Sequence, residues 1–265
     1  MAFLEVSFFS NVLGMCTNMN VILPQTVRGM IGVDAKDMEA TYPTLYLLHG
    51  MSDDHTIWHR RTAIERYADE AGIAVVMPTT ALGWYTDMQH GHKWRTFIGE
   101  ELPNICRDLF PRMSAKREET FVAGLSMGGY GAYAIAMTYP QTFSFAGGLS
   151  GAYMPVHHME QDPQNTYWTD IFGTAEEFKD GPNDLIAVST RLMEAYKADP
   201  IGHPLPRLYM WCGTEDGLYP VNVAMKEHLE ALGWPDFVYE ESHGTHAWQY
   251  WDDKVKTVIQ LIKGE

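Results

Sequence analysis

The chain has 265 residues, 46% of them hydrophobic and 20% charged, which suits one α/β domain with a sizeable core. Its formal net charge of −15 argues against a nucleic-acid surface, which needs a stripe of Lys and Arg, and against attraction to anionic membranes. No apolar run approaches the roughly 20 residues of a bilayer-spanning helix.

The opening stretch, MAFLEVSFFSNVLGMC, is apolar but lacks a basic start and carries Glu5, so it reads as a strand and not as a signal peptide. MNVILPQ pairs with it as a second strand. TLYLLHG (44–50) is a short apolar run ending in Gly, the pattern of a buried parallel strand. Residues 56–71 read as a helix with Ile57, Ile64, Ala68 and Ala71 on one side, and GIAVVMPT (72–79) as another buried strand. Ile98, Leu102, Ile105 and Leu109 fall at helical spacing, with Pro103 expected to kink or restart that helix. TFVAGLS (120–126) is a strand, and 127–139 a helix apolar all round and hence deeply buried. SFAGGLSG (144–151), RLYMWCG (207–213) and FVYEES are further strands. Between the last two, VNVAMKEHLEALG is a helix closed by Gly233. A final helix carries Trp251, Val255, Val258 and Ile262 on one face.

This alternation implies a mostly parallel sheet with helices on both faces. Residues 152–205 break the rhythm. They are expected to form a cap-like insertion over the carboxyl ends of the strands, within a single domain spanning 1–265.

FVAGLSMGGYGAY (121–133) packs four glycines around Ser126. Gly124-Leu125-Ser126-Met127-Gly128 fits G-x-S-x-G and lies between a predicted strand and a predicted helix, the context of a nucleophile elbow. The sharp turn lifts the serine clear of the sheet and leaves no room for side chains two positions away. Gly129 and Gly131 let the next helix lie close to its neighbours. Gly129-Tyr130-Gly131-Ala132-Tyr133-Ala134 also fits the dinucleotide fingerprint G-x-G-x-x-A, but inside a helix and after a late strand, where that fingerprint does not function.

A serine nucleophile needs a base and an acid to orient it, in the chain order Ser, Asp or Glu, His. RLYMWCG is followed by Glu215 and Asp216, and FVYEES by His243 and His246. Asp216 is favoured over Glu215 because it is shorter and Gly217 lets the loop turn directly after it. Spacing does not separate His243 from His246, and loop His and Asp residues are most often mere solvated or capping groups. The oxyanion needs two backbone N–H donors, expected from Met127 and, in the loop after TLYLLHG, from Met51.

TLYLLHGMSDD, GLSMGGYGA, WCGTEDGLY and GTHAWQYWD together resemble the esterase D-like serine hydrolases, nearest to bacterial tributyrin esterases, over almost the whole chain. The resemblance implies an α/β-hydrolase fold and cleavage of esters or thioesters of small acyl groups. It places the nucleophile at Ser126, the acid at Asp216 closing G-x-x-D, and the base at His246 in G-x-H-x-W, which decides against His243. Aromatics after the second buried strand, Trp84 and Tyr85, are implied to border the substrate. His49, Gly50, Trp58 and Tyr153 complete the candidate contacts. The S-G-L-T-C segment of S-formylglutathione hydrolases is replaced here by His49-Gly50-Met51-Ser52-Asp53, which counts against that activity.

Neither His90-Gly91-His92 nor His157-His158 has zinc-enzyme spacing, so no metal and no cofactor is expected. Sixteen methionines read as adaptable packing, and Trp58, Trp84, Trp94 and Trp168 as core or rim. Three cysteines, Cys16, Cys106 and Cys212, read as buried free thiols and make the cytoplasm the default. The expected function is a serine carboxylesterase acting on a short-chain, small-molecule ester through an acyl-enzyme. Rival readings are a feruloyl or carbohydrate acetyl esterase, an S-formylglutathione hydrolase-like thioesterase, an acyltransferase, and a non-catalytic binding protein on the same fold. A homo-oligomer, dimer or tetramer, is compatible with each.

Overall fold

The computed structural model describes residues 1–29, 31 and 40–264. Eight strands form one sheet in the order β1-β2-β4-β3-β5-β6-β7-β8. β1 (Ala2–Ser10) and β2 (Met15–Leu23) make an antiparallel hairpin, and β2 runs antiparallel to β4 (Ala74–Pro78). From β4 onward all neighbours are parallel: β3 (Thr44–Leu48), β5 (Thr120–Leu125), β6 (Phe145–Leu149), β7 (Arg207–Gly213) and β8 (Phe237–Ser242).

Successive side chains on a strand point to opposite faces, so each buried strand feeds two cores. Leu45 and Leu47 join Val75, Ala123, Trp211, Val255 and Val258 on one side. Tyr46 and Leu48 join Val76, Val122, Tyr130, Tyr133 and Met210 on the other. The first core is covered by α1 (Ile57–Arg61), α2 (Ile64–Ala71) and the last helix. The expected single helix over 56–71 is thus two, because Thr62 adopts an extended conformation and separates them.

On the second face, α3 (Trp94–Thr96) runs through a π-helical turn, Phe97–Glu101, into α4 (Leu102–Leu109). The π turn is how the chain takes in Pro103. The Leu102 N–H bonds five residues back to Phe97 O, and Pro103 then falls in the first turn of α4, where no N–H is required. α5 (Met127–Thr138) packs beside it and is buried from Met127 to Met137, as its all-apolar sequence predicts. Residues 152–205 supply α6 (Val156–Gln161), α7 (Thr166–Phe172), α8 (Ala175–Phe178) and α9 (Leu185–Ala198). α10 (Tyr219–Leu232) ends on left-handed Gly233 (φ 69°), the residue expected to close it, and α11 (Trp248–Lys263) carries the predicted Trp251, Val255, Val258 and Ile262 face inward.

The parallel strands β3, β5, β6, β7 and β8 all end on the same side of the sheet. The loops that follow them bring together segments 49–53, 126–129, 150–153, 214–218 and 243–247. Among the described residues, no helix is long and apolar enough to cross a membrane.

Candidate active site

Ser126 is the only residue between 120 and 137 that is not buried. Its backbone sits at φ 53° and ψ −118°, a conformation that costs a non-glycine residue about 1–3 kcal/mol and survives only where its surroundings impose it. Those surroundings are tight. A Cβ on Gly124 would lie 2.4 Å from Gly128 O, so the elbow cannot close over a side chain there. At Gly128 the obstacle is different from the one expected: a Cβ would meet Leu48 O at 2.5 Å and His49 O at 2.6 Å, the end of β3 and not the elbow itself. Gly129 faces the Gly151 backbone beyond β6, and Gly131 faces the Tyr85 ring. Ser126 N–H donates to Leu149 O, and Ser126 O accepts from the N–H groups of Gly129, Tyr130 and Ala152.

The loop after β3 lies against this turn, with a Cβ on Gly50 falling 3.7 Å from Ser126 Cβ. Among the described residues, neither the Met51 nor the Met127 N–H has an acceptor. His49 is buried under this loop. Its Nδ1–H donates to Gly50 O at 2.7 Å, and its Nε2 accepts the Thr80 N–H at 3.1 Å, which requires the neutral ring. Burial above all pushes its pKa down to about 4, against a smaller opposing effect of the Gly50 carbonyl. His49 therefore braces the loop from behind and does not face a ligand.

This has a consequence for stability. An unfolded His takes up a proton near pH 6.5, while the native one resists until about 4. Stability is unaffected above the first value and falls with pH between the two. Wild-type protein is expected to lose about 2 kcal/mol between pH 7 and 5 through this one group, a slope absent from His49→Gln. Urea unfolding of both proteins at the two pH values measures the difference, and equal slopes would refute it.

After β7, Asp216 is buried. His246, from the loop after β8, donates from Nδ1 to Asp216 Oδ2 at 2.9 Å and to Oδ1 at 3.1 Å. Leu218 N–H donates to Oδ1 at 2.8 Å. Burial works against the Asp216 charge, but the hydrogen bonds from His246, the Leu218 N–H and Ser150 outweigh it, and the carboxyl titrates below its ordinary value. The alternatives in the same two loops also find each other: Glu215 Oε1 lies 3.1 Å from His243 Nδ1, in an exposed pair outside the buried one.

Three further residues serve the site that the sequence did not assign to it. Ser150 ends β6 at φ 48° and accepts the Trp251 Nε1–H at 3.2 Å, while Trp251 stands edge-on to His246 at 4.8 Å between ring centres. Asn222, fully buried on α10, holds Gly151 at both polar groups, accepting its N–H and donating to its carbonyl. Trp251 is legible as part of the inward face of α11, and Ser150 leaves a trace in the likeness of GGLSG to the elbow's AGLSMG; Asn222 leaves none.

The candidate contacts divide. Trp58, Tyr85 and Tyr153 are 0–1% exposed. Trp58 Nε1–H donates to Leu48 O, Tyr85 Oη–H donates to His49 O, and Tyr153 packs on Tyr133. These three stand behind the loops. Trp84 is buried as well but reaches forward: its Nε1–H donates to Tyr167 Oη on α7, whose hydroxyl meets Met51 Sδ at 3.6 Å. Met51 is half exposed. Of the histidines set aside as metal ligands, His158 stacks on Trp168. Among the described residues there is no cluster of His, Cys, Asp and Glu suited to a metal ion.

The family model "Putative esterase" matches residues 10–259. The chain belongs to the Esterase family. It is 29% identical to the acetyl esterase of Caldicellulosiruptor saccharolyticus over 99% of this chain and 98% of that one. Among solved structures it is similar to FphF, a fluorophosphonate-binding serine hydrolase of Staphylococcus aureus (30% identity, TM-score 0.85, 100% and 99% of the two chains). It is also similar to the S-formylglutathione hydrolase FrmB of the same organism (31% identity, TM-score 0.81, 99% and 98%). This esterase therefore has the α/β-hydrolase fold and is a carboxylic ester hydrolase of the serine type, in line with the esterase D-like resemblance of its motifs.

Proposed function

We propose that the enzyme hydrolyses short-chain acyl esters through an acyl-enzyme on Ser126, with His246 as base and Asp216 as its orienting acid. The observation that carries this is the hydrogen-bonded Asp216–His246 pair, its carboxylate buried, on loops at the same end of the sheet as the strained, part-exposed Ser126. Ser126 Oγ attacks the ester carbonyl while His246 Nε2 takes its proton. Asp216, already ionised, stabilises the imidazolium. The Met51 and Met127 N–H groups receive the oxyanion. His246 then protonates the departing alcohol, activates a water, and the acid is released. Every step uses groups of the chain itself.

The short acyl preference is supported by the Met51–Tyr167–Trp84 contact, which brings Tyr167 of the 152–205 insertion onto the oxyanion loop. This assigns the insertion the part of a cap within one domain. Three free cysteines, with Cys106 and Cys212 buried as expected but Cys16 exposed on β2, fit a reducing compartment, the cytoplasm. A thioester reading is favoured by the likeness to FrmB, and opposed by the missing S-G-L-T-C segment.

A panel of p-nitrophenyl esters with S-formylglutathione and a feruloyl ester added tests the reading. Acetyl to butyryl esters are expected to exceed the decanoyl ester by tenfold or more in kcat/KM. A fitting CH₂ contributes about 0.8 kcal/mol, or roughly fourfold, so a steady rise to ten carbons would mark a long groove and refute the short pocket.

A further inference from the structure

The outer pair, Glu215 and His243, is tied to the inner one through the backbone. Parallel pairing of β7 with β8 runs to Gly213 opposite Ser242 and continues past both strands: Thr214 N–H donates to Ser242 O at 2.9 Å, and Glu215 N–H to Gly244 O at 3.0 Å. The next link would need a β7 carbonyl for the Gly244 N–H. None is available, because the chain turns away there, with Asp216 N–H bonding back to Gly213 O. The Glu215 side chain takes its place, and Oε2 accepts the Gly244 N–H at 2.7 Å. Gly244 is buried, so its N–H needs a protein partner, and Glu215 supplies it. The fit is close on the other side too, since a Cβ on Gly213 would lie 2.2 Å from Gly244 O.

We infer that Glu215 is a positioning residue for His246: by holding Gly244 at both its N–H and its C=O, two residues before the histidine, it sets the loop from which His246 meets Asp216. The inference rests on the proposed role of His246. His243, with 79% of its side chain exposed, is an outer partner of the same carboxylate and is not required for the clamp. The Gly244 N–H, followed by His243, pulls the Glu215 pKa down to about 2, so the carboxylate stays ionised across the working range and the clamp is not a pH switch.

The test compares Glu215→Ala and Glu215→Gln in the full chain with p-nitrophenyl acetate. Ala removes the acceptor; Gln keeps one oxygen for Gly244. A slight loss of alignment between reacting groups costs up to about 100-fold, so Glu215→Ala is expected to lower kcat by about 10- to 100-fold with KM within about twofold. Glu215→Gln is expected to restore kcat to within about threefold of wild type. The downfield NMR resonance of the His246 proton shared with Asp216 should persist in Glu215→Gln and vanish in Glu215→Ala. Should Glu215→Ala not fold, Glu215→Asp replaces it: the charge is kept, one methylene is lost, and the same drop in kcat is required. Unchanged kcat with the resonance retained, a loss confined to KM, or a Gln variant as impaired as Ala would each overturn the inference. His246→Ala separates the two levels. If it is active, the assignment of the base fails. If it is inactive while the Glu215 variants are unimpaired, only the clamp fails.

Discussion

Ser126→Ala is expected to lose on the order of 10⁶ in kcat against short-chain esters, since removing the nucleophile of such a unit costs about as much as removing the whole unit. What remains is the catalysis of the oxyanion donors and binding, about 10³–10⁴ over water. The fold should not suffer. Alanine at φ 53° carries the same backbone strain as serine, and Ser126 O, not Oγ, bonds the N–H groups of Gly129, Tyr130 and Ala152. The melting temperature should therefore match that of wild type within a few degrees. A fluorophosphonate probe followed by peptide mass spectrometry should label Ser126 in the wild type and nothing in the variant. Labelling of another serine, or undiminished turnover in a folded Ser126→Ala protein, would remove the basis of the proposed mechanism.

The second large effect distinguishes the two histidines. His246→Ala removes the base and should cost on the order of 10⁴ or more in kcat. Asp216→Asn should cost about the same while leaving the outline of the site intact. An amide NH₂ facing Nδ1 favours the tautomer with its proton on Nε2, which cannot accept one from Ser126. His243→Ala should change kcat by no more than about threefold. Its ring is exposed, stands edge-on to Tyr250 and meets one Glu215 oxygen, while the other still holds Gly244. Steady-state kinetics on the three variants decides the matter. A greater loss at His243 than at His246 would exchange the inner and outer pairs and displace Asp216 along with His246.

Much of this was readable before any fold was known, because it is written locally. The elbow lies wholly within residues 124–128 and its glycines are next to it in the chain, although the contact that requires glycine at 128 comes from the end of β3. The buried strands β3, β4, β5, β6 and β7 are short apolar runs, and α11 declares its inward face by spacing alone. The break at Thr62 and the π turn before Pro103 were less legible. Both arise where a local conformational conflict is resolved by packing, and a period of hydrophobic residues passes across them unchanged.

The sequence by itself determined the order of strands and helices, the serine at its turn, and which two loops carry the acidic and histidine candidates. Only the tertiary structure decided how the candidates combine. Asp216 and His246 are 30 residues apart; length and Gly217 favour Asp216 over Glu215, and the G-x-H-x-W resemblance favours His246 over His243, but neither says which acid meets which histidine. The register of β7 on β8 does so, setting Gly213 against Ser242, joining His246 to the buried Asp216 carboxylate and leaving Glu215 and His243 paired in the open. The same holds for the aromatics. Trp58, Tyr85 and Tyr153 have the composition of a binding wall, but a side chain's access to ligand depends on which core it enters, and that is fixed by contacts between residues far apart in sequence.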